Sequence, residues 1–331
     1  MHNPEAAPNQ LEPAVLSVPD LAEALEFFKN RLGFRLEMIV PADDPQAAVI
    51  AGQGLRLRLE KEGQSGQGTE QATSLVDELL VSRMQNDADW HTGRAGMQYR
   101  DLIPGRLGGQ FIASHIRITD GGPVPDYVHY HKVRFQLIYC KAGWVRVVYE
   151  DQGPPFVLQA RDCVLQPPEI RHRVLEASSG LEVIEVGSPA VHETYVEAQL
   201  ELPTPQVLPE RSFNGQRFVR HEAQNATCQP WRLAGLSRRD TGIAAATNDL
   251  ASVQVIRALS DVPETALPAH TGELLFWFVL QGGLTLESVA HGTHALQPGD
   301  ACVIPAGKEF KLQAAAGLEW LEVRLPANTA N

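Results

Sequence analysis

The sequence predicts a mainly β protein: two similar antiparallel β-barrels in tandem, preceded by a small α+β module of βαβββ order. Three observations carry this. Short apolar runs are punctuated by 27 glycines and 23 prolines, the rhythm of strands joined by turns. A segment of about 138 residues repeats itself along the second half of the chain. One helical apolar stripe, near the N-terminus, is followed by three strand-like runs. At 331 residues the chain exceeds one ordinary core and has room for two or three domains.

Residues 13–61 form the first unit. Pro13–Val18 reads as a strand; Asp20 is a candidate N-cap. Ala24, Leu25, Phe27, Phe28 and Leu32 make the helix stripe, and Gly33 stands at its C-terminal end. The runs Phe34–Val40, Ala47–Ala51 and Leu55–Glu60 read as strands. Residues 62–72 are polar and glycine-rich, as in a linker, and a short helix is expected over 73–84. Strands follow at Gln110–Ile118, Val133–Cys140, Trp144–Tyr149, Asp162–Gln166 and Leu181–Val186, then at Ala251–Arg257, Leu274–Leu280, Leu284–Val289, Ala301–Ile304 and Leu318–Val323. The two sets match: Leu158–Pro167 parallels Leu296–Pro305, and His131 and His270 each lie 12 residues before the turn glycines Gly143 and Gly282. The expected units are 1–72, a first barrel over 73–205 and a second over 206–331.

Composition narrows the function. A net charge of −12 without an evident basic face argues against nucleic-acid or anionic-membrane partners. No apolar run approaches the ~18 residues of a membrane span, and the first residues carry no basic start, so a cytoplasmic location is expected. Cys140, Cys163, Cys228 and Cys302 form no C-x-x-C pair and read as reduced thiols, buried where they fall in apolar runs.

The most informative chemistry is at His129 and His131. On a strand, residues i and i+2 share a face, so both imidazoles can face inward. His172 follows on a later strand, and Gln136 could add an amide oxygen, giving a neutral set of His129, His131, Gln136 and His172. A divalent ion held there keeps its full charge and open positions. Weaker candidates to face the cavity are His115, Arg117, Tyr127, Tyr139, Arg146 and Glu185; an arginine would suit a substrate carboxylate. Arg171 and Arg173, flanking His172, should point away from it. His91, His192, His221, His291 and His294 have no ligand spacing.

The repeat resembles the cupin superfamily. Its first motif, G(x)5HxH(x)3–4E(x)6G, reads here from Gly122 through His129, His131 and Gln136 to Gly143; its second reads from Arg161 through Pro167 to His172. Gln136 replaces the usual glutamate, and Arg161 and Glu169 replace motif glycines. The resemblance implies two tandem double-stranded β-helix (jelly-roll) barrels, a bicupin, with one divalent metal in the first: Fe(II) by preference, Mn, Ni or Zn otherwise. In the second copy only His270 survives, with Pro268, Leu275 and Phe310 at the other ligand positions, so it is expected to be structural. Residues 13–61 resemble a single βαβββ module of the glyoxalase/bleomycin-resistance (vicinal oxygen chelate) superfamily, on Val18–Leu21, Phe27-Phe28 and Leu32–Phe34. Such modules pair, so a homodimer is expected. The asymmetric bicupin resembles gentisate-type ring-cleaving dioxygenases, which implies a mononuclear Fe(II) dioxygenase acting on a small bidentate phenol, diketone or hydroxy acid. The alternatives are a Lewis-acid isomerase or lyase on a sugar acid, resembling pectin-degradation cupins, and a small-molecule-binding protein without catalysis.

Overall fold

The computed structural model describes residues 12–63, 77–85, 89–93 and 96–327. The N-terminal unit folds as β1 (Ala14–Val18), α1 (Leu21–Leu32), β2 (Arg35–Val40), β3 (Ala47–Gly52) and β4 (Leu55–Lys61). The Asp20 carboxylate accepts the Glu23 N–H at 2.9 Å, which starts α1, and Gly33 ends it at a left-handed φ of 71°. Leu21, with half-buried Leu25 and Phe28, packs on Ile50 and Leu59 of the sheet. The strand order is β1-β4-β3-β2. From β2 the sheet continues into the first barrel, where Ile39 pairs with Thr194 and Met38 with Tyr195. Among the described residues this forms one ten-stranded sheet, with β1 at its outer edge.

Each barrel opposes two sheets. In the first, Cys163–Leu165, Phe135–Ala142, Leu181–Ser188 and Ile112–Ile118 face His129–His131, His172–Ala177, Trp144–Tyr149 and Phe156–Gln159. The second repeats this with Ala301–Val303, Leu274–Gln281, Glu319–Leu325 and Ser252–Ala258 against Val262–Leu267, Phe310–Ala314, Leu284–Ser288 and Gly292–Leu296. The pleat of Phe135–Ala142 divides its residues between two environments. Phe135, Leu137 and Tyr139 join Val253, Phe276 and Val323 in one core between the barrels. Gln136 and Ile138 face the interior of the first barrel. Phe276 and Phe278 are fully buried in the inter-barrel core, where truncation to alanine costs about 3–5 kcal/mol.

Two segments lie where sequence periodicity did not place them. Of the helix expected over 73–84, residues 73–76 are outside the described residues and 80–82 are a strand, β5 (Leu80–Ser82), paired with Ala301–Val303 of the second barrel. An open sheet edge supplies the hydrogen bonds and packing that override local helix preference. Val219–His221, expected in the second barrel, pairs instead with Cys163–Leu165 of the first. Each barrel thus takes an edge strand from the segment preceding the other. Most of the expected linker, 64–72, lies outside the described residues.

The positions that lost motif glycines keep glycine-like backbone. Arg161 has φ 80° and Glu169 φ 63°, and their counterparts Gly299 and Gly307 have φ 92° and 71°. Arg161 is held there by its carbonyl, which accepts from Arg239, and by a paired contact of its guanidinium with Glu319 of the other barrel at 2.6 and 2.7 Å. Cys140, Cys163 and Cys302 are buried free thiols and Cys228 is exposed. Among the described residues no helix is long and apolar enough to cross a membrane.

Candidate metal centre

Strand pairing assembles three imidazoles. His129–His131 lies between His172–Ala177 and Thr194–Val196, with His129 directly opposite His172. The i, i+2 spacing puts His129 and His131 on the same inner face. Ring centroids are 5.1 Å apart for His129–His131, 4.3 Å for His129–His172 and 5.2 Å for His131–His172. One ligand atom from each lies within 4.8 Å of the others, and all three residues are buried, so the site could hold a metal ion.

The opposite nitrogen of each ring is bonded. His129 Nδ1 lies 2.8 Å from the Tyr127 carbonyl and His172 Nδ1 3.0 Å from that of Ile170. A carbonyl can only accept, so both rings carry their proton on Nδ1 and present Nε2 as the lone-pair atom. His131 Nδ1 meets the Thr194 hydroxyl at 2.8 Å, which permits the same tautomer. These contacts fix ring orientation as outer hydrogen bonds do around metal-bound imidazoles. The donor set therefore fits a divalent ion.

Gln136 is buried and lines the same cavity. Its amide NH2 donates to Glu185 at 2.6 Å, so the oxygen is the atom it can offer to a metal. Glu185 lines the cavity too. The other weak candidates do not. Tyr127 acts through its carbonyl, and its side chain lines a separate groove beside α1. His115 faces the seam between barrels, 2.6 Å from Glu182 and beside the rings of Trp90 and Phe278. Burial pushes the His115 pKa below its ordinary value, with the bond to Glu182 opposing. That same bond, helped by Lys141, holds Glu182 down at about 2. Arg117 bonds Gln98 and covers Trp90; Tyr139 is in the inter-barrel core; Arg146 pairs with Glu176 on the outer surface. Alternation explains all four: their even-numbered or odd-numbered neighbours (Ile116, Ile118, Ile138, Val145, Val147) take the inner face.

His192 has no ligand spacing in sequence, yet its ring stands 5.4 Å from that of His131 in the cavity wall. Tyr149 and Gln166 also line the cavity. The Tyr149 ring stacks on His172 at 5.4 Å, and burial pushes its phenol pKa up while a hydrogen bond with Gln166 opposes. The Tyr149 phenol therefore keeps its proton at neutral pH. Tyr149 could have been found, since it shares a strand face with Val145 and Val147. His192 could not, because it follows the barrel strand in an irregular segment.

The cavity contains about 950 Å³ of atom-free space, its open mouth included. One wall comes from the N-terminal unit: Ala42 and Asp43, in the loop between β2 and β3, line it. Asp43 is fastened there by Arg106 at 2.5 Å, and Arg106 also bonds Asp101.

In the second barrel two tryptophans pack at this position. Trp277 stands opposite Glu322 as Ile138 stands opposite Glu185, and its indole N–H donates to Glu322 at 2.8 Å. Trp320 packs 5.1 Å from Trp277, and both are fully buried. His270 is buried, with Nε2 2.8 Å from the Ile304 carbonyl and Nδ1 accepting from Gly272 N–H. Both nitrogens are thus used by the backbone, as a structural histidine requires.

No curated protein sequence matches the chain. Residues 262–324 match the family described as a cupin domain. Among solved structures, the chain is similar to Streptomyces albus HEPD with 2-hydroxyethylphosphonate and Fe(II) bound, at 14% identity, TM-score 0.54, covering 75% of this chain and 76% of that one. It is similar to a salicylate 1,2-dioxygenase from Pseudaminobacter salicylatoxidans, at 16% identity and TM-score 0.51, covering 68% and 75%. Bacillus subtilis oxalate decarboxylase is another, at 14% identity and TM-score 0.51, covering 78% of each. The chain therefore has the cupin fold, with a cupin domain matched in its second barrel and a three-histidine site in its first.

Proposed function

We propose that the protein is a metal-dependent enzyme, a mononuclear Fe(II) dioxygenase acting on a small organic molecule that chelates through two oxygens. The observation that carries this reading is the convergence of His129, His131 and His172 with their Nδ1 atoms engaged elsewhere. Gln136 is the proposed fourth ligand. The salicylate dioxygenase and the Fe(II)-bound HEPD supply the analogy for redox chemistry, at identities that speak for fold alone.

A divalent ion in this neutral set supplies Lewis acidity and, as iron, one-electron chemistry with O2. The chain's own residues do the rest. Thr194 and the Tyr127 and Ile170 carbonyls hold the imidazoles in place. Aliphatic side chains line the walls. Glu185, already accepting from Gln136, is placed in the cavity to take a proton from a substrate hydroxyl or enol. Tyr149, protonated, is a hydrogen-bond donor beside His172.

Metal analysis of anaerobically purified protein, paired with O2-uptake assays, tests the reading. Stoichiometric iron that is lost in His131→Ala, with O2 consumed on adding a phenol or diketone, is expected. Zinc, nickel or manganese with anaerobic turnover of a sugar acid would move the assignment to a Lewis-acid isomerase or lyase. No metal in either protein would refute both.

A further inference from the structure

The wall of the first-barrel cavity carries information that the histidines do not. Strand alternation turns Ile112, Ile116, Val145, Val147, Val174 and Val183 inward, so the body of any ligand meets branched aliphatic side chains. Two charged groups line the cavity, Asp43 and Glu185, and both are acidic. Among the described residues no lysine or arginine lines it; Arg94 lies outside them. The candidate arginines Arg117 and Arg146, and Arg171 beside His172, are committed elsewhere. Arg117 bonds Gln98 at 2.7 Å, Arg146 pairs with Glu176 at 3.0 Å, and Arg171 lies 4.3 Å over the Tyr130 ring. Arg106, which bonds the cavity-lining Asp43, is held by Asp43 and Asp101.

We propose that the ligand is an uncharged molecule with a hydrocarbon body and a two-oxygen chelating head, and that the cavity rejects ligands carrying a carboxylate or phosphonate on that body. The head rests on the metal reading above; the body rests on the wall alone. An anionic group taken from water into this aliphatic wall loses its hydration and finds no lysine or arginine among the described residues of the lining to pair with. A branched alkyl group gains the full benefit of leaving water and fills space shaped by similar side chains. Selection therefore works as much by exclusion as by attraction. The N-terminal unit takes part, because Ala42 and Asp43 line one wall of the cavity.

The test is calorimetric binding to the full-length chain, metal-free and loaded with Zn(II). The probes are pivaloylacetone and an analogue in which a carboxymethyl group replaces one tert-butyl methyl. The Zn(II) form should bind pivaloylacetone at least about 10-fold more tightly than the carboxylate analogue. Val183→Arg should narrow or reverse that ratio, while Val183→Gln should keep the neutral preference. Position 183 suits the insertion because its counterpart in the second barrel is Trp320. Equal binding of pivaloylacetone with and without Zn(II) would support the hydrocarbon class and overturn the metal reading. A carboxylate analogue bound as tightly as pivaloylacetone, or no binding of pivaloylacetone to either form, would overturn this proposal.

Discussion

Thr194→Val tests whether the hydrogen bond behind His131 tunes the metal centre. Thr194 is fully buried, and its Oγ1 lies 2.8 Å from His131 Nδ1. Valine keeps the shape and the strand preference, and the backbone pairing with Ile39 of the N-terminal unit does not need the hydroxyl. What is lost is one buried hydrogen bond. If His131 keeps its tautomer, loss of the Thr194 hydroxyl from its buried N–H costs up to about 1–3 kcal/mol of folding stability. If the proton moves to Nε2, the ligand atom is blocked and metal binding suffers instead. Loss of such an outer partner typically weakens metal affinity about 10–100-fold, or about 1.4–2.8 kcal/mol. Thr194→Ser keeps the hydroxyl and removes one buried methyl, about 0.8 kcal/mol of stability, with affinity near that of the native chain. The assay is Zn(II) competition against a chromophoric chelator, with denaturant unfolding of the metal-free proteins alongside. Native affinity and stability in Thr194→Val, or a Thr194→Ser affinity as weak as that of the valine variant, would refute the reasoning.

Ile138→Trp copies into the first barrel the residue that fills the second; it should leave the fold intact by circular dichroism and weaken pivaloylacetone binding at least about 10-fold. Unchanged binding would show that the cavity is not the ligand site. His115 has a lowered pKa in the fold, so the unfolded chain takes up its proton first as pH falls through ~6.5. Its contribution to stability is complete above that pH and declines below it, at up to about 1.4 kcal/mol per pH unit. Glu182, held at about 2, loses its contribution at lower pH, below the ordinary carboxylate range. Urea unfolding at pH 7.5, 6.0 and 5.0 should show a shallower acid decline in His115→Phe than in the native chain; equal slopes would reject the assignment. Among the described residues β1 is the outer strand of its sheet and exposes Val15 by 61% and Leu16 by 42%, a surface suited to a second copy of the chain. We expect a dimer by sedimentation that Val15→Lys dissociates, and a native monomer would end that expectation.

The amino-acid sequence by itself showed α1, many of the barrel strands and the three histidines that could hold a metal. Asp20 and Gly33 bracket α1 because a cap and a left-handed terminus are local devices. His129 and His131 share a face because a strand repeats every two residues, and the second cupin-like motif, from Arg161 through Pro167, marked His172 as their partner. Even the lost motif glycines marked real left-handed positions, at Arg161 and Glu169. Which face is inward was another matter. Phe135–Ala142 is apolar on both faces, since one lines the cavity and the other packs against the second barrel, so alternation could not say where Tyr139, or His115 on a neighbouring strand, would point. Edge exchange was equally hidden: β5 and Val219–His221 are too short to declare a partner and take one because an edge of the other barrel stands open. His192 and Asp43 reach the cavity from an irregular segment and from the N-terminal unit, placed by sheet continuation across Ile39 and Thr194. Local hydrogen bonding and side-chain period are written residue by residue; the inside of a barrel, and what closes it, exist only once distant strands have met.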